Sequence, residues 1–201
     1  MSAAFDALLR EVRAVHGAHP DTRAFCPFPD DLTPQPMTPV HRPCADFMAR
    51  EGPMAAGAYA ALYRAMRAAG PHALWRETYA GTGIGRHFMD RFGCYGIIGR
   101  GGAWASARMS AWLVYMPAGL WYPWHRHPAE ELYLVVAGEA EFQREGMATE
   151  TLGPGGSVFH GGDQPHAMRT RDRPVMAYVT WRNNLGVPPV LSKSDISDGN
   201  D

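Results

Sequence analysis

The chain has 201 residues, of which 46% are hydrophobic and 19% charged, a composition that excludes disorder over most of its length and fits one substantial domain. Nineteen Lys and Arg against twenty Asp and Glu leave a formal charge of −1, which excludes a protein whose main task is to grip nucleic acid or an anionic membrane by charge. No apolar run approaches the roughly 18 residues of a membrane span. Asp6, Arg10, Glu11 and Arg13 interrupt the segment Met1–Gly17, so it lacks the apolar core of a signal peptide. Cys26, Cys44 and Cys94 are scattered, with no CxxC, and read as buried thiols of a reducing, cytoplasmic compartment. Lys193 is the single lysine, which reflects the codon bias of a GC-rich bacterium and says nothing about function.

In chain order, Phe5, Leu8, Leu9, Val12 and Val15 recur at helical spacing, with Ser2 placed to cap the helix and Gly17 to stop it. The stretch containing Pro20, Pro27, Pro29, Pro34, Pro36, Pro39 and Pro43 cannot be one helix, because proline lacks the N–H donor and restricts the residue before it. Helical patterns resume over Ala45–Glu51, Ala55–Ala69 and His72–Tyr79. Tyr59, Leu62, Tyr63 and Met66 form the apolar face of the middle one, and Gly70-Pro71 ends it. From Gly93 the period changes. Tyr95–Ile98, Ala107–Met116, Glu131–Val136, Ala140–Gln143, Met147–Leu152, Gly156–Phe159 and Val175–Trp181 read as short strands separated by glycine-rich turns, the pattern of a β-sandwich or barrel. The tail from Ser192 is polar and reads as frayed.

His16, His19, His41, His72 and His87 fall in the helical part and read as surface or satisfied structural residues. His125 and His127 differ. They stand two apart, so that both imidazoles point to one face of a strand, and Glu131 and Tyr133 share a face of the next strand by the same rule. If those strands lie side by side, two nitrogens and a carboxylate converge. The fourth donor comes from His160 or His166. Mixed imidazole and carboxylate donors suit a divalent transition ion such as Zn, Fe, Ni or Cu, and extend to Mn.

The segment Gly119-x5-His125-x-His127-x3-Glu131-x6-Gly138 resembles the first motif of the cupin superfamily in every fixed position. A looser second match, Gly155-x5-Gly161-x-Asp163-x2-His166, has Gly161 where the motif has proline and Asp163 where it has glycine. Thr170 stands at its trailing asparagine. By spacing, the second motif selects His166, and His160 is then read as a turn-facing histidine before Gly161-Gly162. The resemblance implies a mainly β fold, a single cupin barrel (double-stranded β-helix) preceded by a helical region. It divides the chain into a helical part over 1–92, a barrel with the metal site over 93–190 and a polar tail over 191–201.

A narrower resemblance rests on the run Tyr122-Pro-Trp-His-Arg-His-Pro-Ala-Glu-Glu-Leu-Tyr133 together with the helical region ahead of one C-terminal barrel. These are similar to the cupin-type dimethylsulfoniopropionate lyases of the DddQ kind. The resemblance implies a lyase that removes a proton next to the substrate carboxylate and expels dimethyl sulfide, leaving acrylate. It implies one divalent ion, Zn or Fe with Mn as an alternative, on His125, His127, Glu131 and His166. Tyr133 would be the catalytic base, and Tyr122 and Trp181 would help hold the substrate. Trp121, Trp124, Phe159 and Tyr178 add rings near the motifs, and aromatic faces suit a sulfonium, which offers no N–H donor. An Fe(II) oxygenase acting on a small organic acid and a non-catalytic ligand-binding cupin are the alternatives on the same fold. The expected partner is a small sulfonium carboxylate, with no nucleic acid and no membrane. The helical part packs on the barrel, caps its mouth or forms a homodimer contact, three arrangements the sequence leaves open.

Overall fold

The computed structural model describes residues 2–54 and 57–192. The chain opens with α1 (Ala3–Ala18), capped where Ser2 Oγ accepts from the Ala4 N–H at 3.3 Å. Phe5, Leu8, Val12 and Val15 form its buried stripe. Pro20 and Pro43 stand at the first positions of α2 (Pro20–Phe25) and α3 (Pro43–Arg50), where the missing N–H costs nothing. Between them lies β1 (Thr33–Pro34), a strand absent from the sequence reading. A 3-10 turn, Gly57–Tyr59, leads into α4 (Ala60–Ala69), which buries Leu62, Tyr63 and Met66. Ala55 and the residue after it, the start of the expected helix, lie outside the described residues. No helix among the described residues is long and apolar enough to cross a membrane.

The helix expected over His72–Tyr79 does not form. A 3-10 turn, Gly70–His72, ends the helical run, and the backbone then pairs with its neighbours, Leu74 with Val40 and Trp75 with Tyr95. Burial decides this: Trp75 is 2% exposed, stands edge-on to Tyr95 and gives its indole N–H to the Gly70 carbonyl. The segment continues through a turn to the short α5 (Arg86–Met89).

The strands are β2 (Gly93–Ile98), β3 (Trp104–Ala105), β4 (Ser110–Met116), β5 (Trp121–Arg126), β6 (Glu130–Gly138), β7 (Ala140–Arg144), β8 (Glu150–Leu152), β9 (Ser157–His160), β10 (His166–Arg169), β11 (Val175–Arg182) and β12 (Val190–Leu191). They make a seven-stranded sheet, β1-β3-β2-β4-β11-β6-β9, and a five-stranded sheet, β12-β5-β10-β7-β8. This is the mainly β, cupin-type arrangement expected, with helices concentrated ahead of it. Two expected strands are shorter than read. The one beginning at Ala107 starts at Ser110, because Ser106 and Ala107 are tied to the Asp31 carboxylate in a turn. Met147, 57% exposed, lies in the turn before β8.

The central strands of the larger sheet are buried on both faces. On β4, β6 and β11 the residues Trp112, Val114, Tyr133, Val135, Val179 and Trp181 join the cluster between the sheets. The alternate residues Leu113, Tyr115, Leu132, Leu134, Met176 and Tyr178 pack with α1 and α4 on the outside. The helices therefore cover the outer face of this sheet. The inner cluster receives Tyr79, Phe88 and Phe92 from the segment between the helices and β2. His16 ties the layers together: its Nε2–H donates to the Cys26 carbonyl at 2.8 Å, and its Nδ1 accepts from the Tyr178 hydroxyl at 3.0 Å.

The departures from the second motif have local causes. Asp163 has φ of 58°, a left-handed conformation that glycine adopts freely and aspartate tolerates. Gly161 gives its N–H to Gln164 Oε1 at 3.0 Å, a bond that proline could not make. Thr170 accepts from the Leu120 N–H and donates to the Pro117 carbonyl, holding the turn that leads into β5. Gly138 has φ of 74°, and a Cβ there would sit 1.8 Å from the Pro174 carbonyl oxygen.

Candidate active site

Register assembles the site as two facing rows. In the larger sheet β6 lies between β9 and β11, so that Glu131 is flanked by His160 on one side and Trp181 on the other. In the smaller sheet His166 pairs directly with His125. His127 follows the last residue of β5, with exposed Arg126 between it and His125, so both imidazoles turn inward as the alternation requires.

His125, His127, Glu131, His160 and His166 are all buried, none more than 3% exposed. Donor atoms of His127, Glu131 and His166 lie within 4.8 Å of one another. Glu131 Oε2 is 3.3 Å from His127 Nε2 and 3.2 Å from His166 Nε2. Nδ1 of His125, His127 and His166 each faces a backbone carbonyl, of Pro123, Ala129 and Gln164, at 2.8, 2.9 and 2.8 Å. A carbonyl only accepts, so each Nδ1 carries the proton and each neutral Nε2 holds a lone pair. The Nε2 atoms of His127, His160 and His166 are buried with no hydrogen-bond partner. Lone pairs that converge on a carboxylate in a dry pocket are unfavourable unless a cation joins them, and carbonyl-anchored histidines are the usual support of metal ligands. The donor set therefore fits a divalent ion.

Burial and the Glu131 charge set the ionisation of the group in opposite directions. Burial alone would push the Glu131 carboxyl up, but His127 beside it and the hydrogen bond from His160 hold it well below the usual range. Burial opposes protonation of His127 as well, yet the Glu131 charge outweighs it and the imidazole titrates higher than normal. Burial, and then His166, drive His125 well down and push His160 to about 3. Burial, then the Glu131 charge, raises Tyr133 well above the ordinary phenol value.

Of the residues singled out from sequence, His127, Glu131 and His166 form the tight group. His125 adjoins it, its ring 4.1 Å from His166 and 6.4 Å from His127. Tyr122, Glu131, Tyr133 and Trp181 line one cavity together with Phe92, Cys94 and Trp112. Tyr178 faces the helices, and Phe159 is 41% exposed against Phe25, so neither ring reaches that cavity. Trp121 and Trp124 line a separate cleft. Burial pushes the Cys94 thiol up to about 11, so it stands in the wall as a neutral group.

The reading of His160 as turn-facing is overturned. It is the last residue of β9, 1% exposed, with Nδ1–H donating to Glu131 Oε2 at 2.9 Å and its ring stacked on His166 at 4.0 Å. The strand read to Phe159 stops one residue short. With Val158 buried, the period-two rule points His160 inward as well. Tyr79 was also missed: its hydroxyl meets that of Tyr122 at 2.6 Å, and it arrives from the segment misread as helix.

A model of the dimethylsulfoniopropionate lyase family matches residues 22–177. The chain belongs to the dimethylsulfoniopropionate lyase family. It is 52% identical to the dimethylsulfoniopropionate lyase DddQ of Ruegeria pomeroyi over 189 residues, 94% of each chain. The crystal structure of DddQ from that organism superposes with a TM-score of 0.94, at 52% identity, over 96% of this chain and 98% of the other. A second family structure, described as belonging to the DMSP lyases RdDddP and RnDddQII, gives a TM-score of 0.91 at 36% identity over 95% and 98% of the two chains. Family membership thus accounts for the helical region and the barrel together, since these matches span nearly the whole chain.

Proposed function

We propose that this protein is a metal-dependent carbon–sulfur lyase that cleaves dimethylsulfoniopropionate to dimethyl sulfide and acrylate by base-initiated elimination. The observation that carries the reading is the buried group of His127, Glu131 and His166, its imidazole lone pairs unpartnered, beside Tyr133 in an aromatic cavity. Family membership supplies the substrate.

His127, Glu131 and His166 would hold the ion, with His125 as the adjoining donor. Zn and Fe suit this set, and Mn is an alternative. A divalent cation so held supplies Lewis acidity toward the substrate carboxylate and favours the ionised form of a neighbouring phenol. Tyr133 takes the proton from the carbon next to the carboxylate. The electron pair released forms the carbon–carbon double bond as the carbon–sulfur bond breaks, and dimethyl sulfide leaves as a neutral molecule. Tyr122 and Trp181 put aromatic rings in the wall around the sulfonium, an attraction worth about 0.5–2 kcal/mol each when water is excluded. Burial and the Glu131 charge by themselves hold Tyr133 as a neutral phenol, so its action as a base depends on the cation, whose pull on the phenolate is stronger in a dry pocket than in water.

We read residues 93–190 as the barrel that carries the site and 1–92 as the helical region that covers it, in a cytoplasmic enzyme. The test is incubation of purified protein with dimethylsulfoniopropionate under argon, with headspace sulfide measured by gas chromatography. Sulfide release without oxygen that stops on chelation and returns with metal supports the reading. Strict dependence on oxygen, or no release from metal-loaded protein, overturns it.

A further inference from the structure

Glu131 is held at both carboxylate oxygens by groups that the proposed mechanism does not assign to it. Oε1 accepts the Trp181 indole N–H at 2.7 Å, and Oε2 accepts the His160 Nδ1–H at 2.9 Å. Both donors come from the strands that flank β6, and the register puts them directly opposite Glu131. Neither donor is free to turn away. The His160 ring lies parallel to His166, centroids 4.0 Å apart and planes 8° from parallel. The Trp181 ring packs against Trp112 and His127, with ring centroids 4.7 Å and 4.1 Å away.

We infer that His160 and Trp181 are positioning residues that clamp the Glu131 carboxylate so that it donates to the metal through Oε2 alone. The inference rests on the metal-centre reading above. A carboxylate free to rotate can chelate with both oxygens and fill two coordination positions. The bond to Trp181 turns Oε1 toward β11, and Oε2 is the oxygen that faces the Nε2 atoms of His127 and His166. Held this way, Glu131 would leave the ion free to take the substrate carboxylate. Trp181 then has two duties, its ring in the wall of the cavity and its N–H on Glu131. His160 has one, and acts on the metal only through Glu131. Charge-assisted bonds of this kind, in a buried site, are stronger than neutral ones.

The test reads metal affinity in the full chain without substrate, so it is separate from the lyase reading. Zn(II) affinity is measured by competition with a chromophoric chelator, and the Co(II)-loaded protein gives an absorption spectrum sensitive to the donor set. Asparagine places a side-chain N–H near the position of the histidine Nδ1, whereas glutamine reaches toward Nε2. We expect His160→Ala and Trp181→Phe each to weaken Zn(II) binding by about 10–100-fold and to alter the Co(II) spectrum. We expect His160→Asn to recover most of the affinity and the wild-type spectrum, and His160→Gln to recover neither. Should His160→Ala fold poorly, the Asn and Gln pair decides alone. Wild-type affinity in His160→Gln with loss in His160→Asn makes His160 a direct ligand through Nε2 and overturns the clamp. Wild-type affinity in both His160→Ala and Trp181→Phe overturns it too, leaving the metal reading intact. No metal uptake by the wild-type chain overturns both.

Discussion

The ring of Tyr122 lies flat on the imidazole of His125, centroids 3.9 Å apart and planes 11° from parallel. At its far end the Tyr122 hydroxyl meets Tyr79, which belongs to the segment between the helices and the barrel. A contact outside the barrel strands therefore sets how an aromatic wall stands against a site histidine. Removing only the Tyr79 hydroxyl leaves that of Tyr122 buried and unpaired. Tyr79→Phe is expected to lower stability by about 1–3 kcal/mol, and the Tyr79→Phe/Tyr122→Phe pair to cost less than Tyr79→Phe alone, because no orphaned group remains. Urea unfolding of the variants measures this, and a double variant weaker than the single would contradict it.

The geometry ranks the metal ligands. His127→Ala, Glu131→Ala and His166→Ala are each expected to lose bound metal and activity together. His125→Ala, further from His127, should retain more metal than any of the three. Atomic spectroscopy after dialysis gives the order, and a His125 variant with the least metal would reverse the assignment.

Tyr133→Phe removes a hydroxyl from the cavity while keeping the ring that packs on Phe142. Metal content and melting temperature should stay close to wild type, and turnover should fall by at least about 100-fold, the low end for loss of a general base. Substantial residual turnover would transfer the proton abstraction to another group.

His16 carries a pH dependence of stability. Burial lowers its folded pKa, against a partial rise from the bond to the Cys26 carbonyl, so the folded value lies below the unfolded one near 6.5. The unfolded chain therefore takes the proton first as pH falls. The contribution is complete above about pH 6.5 and declines as pH drops toward the folded value. His16→Gln should melt below wild type at about pH 7.5, with the gap narrowing by about pH 5. The site histidines are common to both proteins and cancel in that difference. A gap independent of pH would rule out His16 as the titrating group.

Gly138 combines a left-handed backbone with a carbonyl where a side chain would go. Gly138→Ala is expected to cost at least about 2 kcal/mol, from the backbone conformation and the displacement of the Pro174 strand start. Thermal unfolding would show it as a large drop in melting temperature.

The site was legible where its geometry is local. His125, His127, Glu131 and Tyr133 fall at spacings that two adjacent strands convert directly into a shared face, and the glycines of the first motif mark the turns around them. What joins them from elsewhere was harder to read. His160 reaches Glu131 across the β6–β9 pairing, and no local period announces which strand will lie beside which. Tyr79 was hidden because the burial of Trp75 overrides a helical pattern. β10, only four residues long, shows too little alternation to be seen, although His166 at its start was reached by motif spacing. The helices were visible from their apolar stripes, and the near-continuous apolar run Ala111–Met116 carried the sign that both faces of its sheet are covered.

The helical layer has a practical consequence. Leu113, Tyr115, Leu132, Leu134 and Met176 form a greasy band on the sheet that α1 and α4 shield. A fragment beginning at Gly93 would bare that band to water and lose the Tyr79 hydroxyl as well. It would self-associate through the stripped surface, so the barrel cannot be excised as a minimal catalyst.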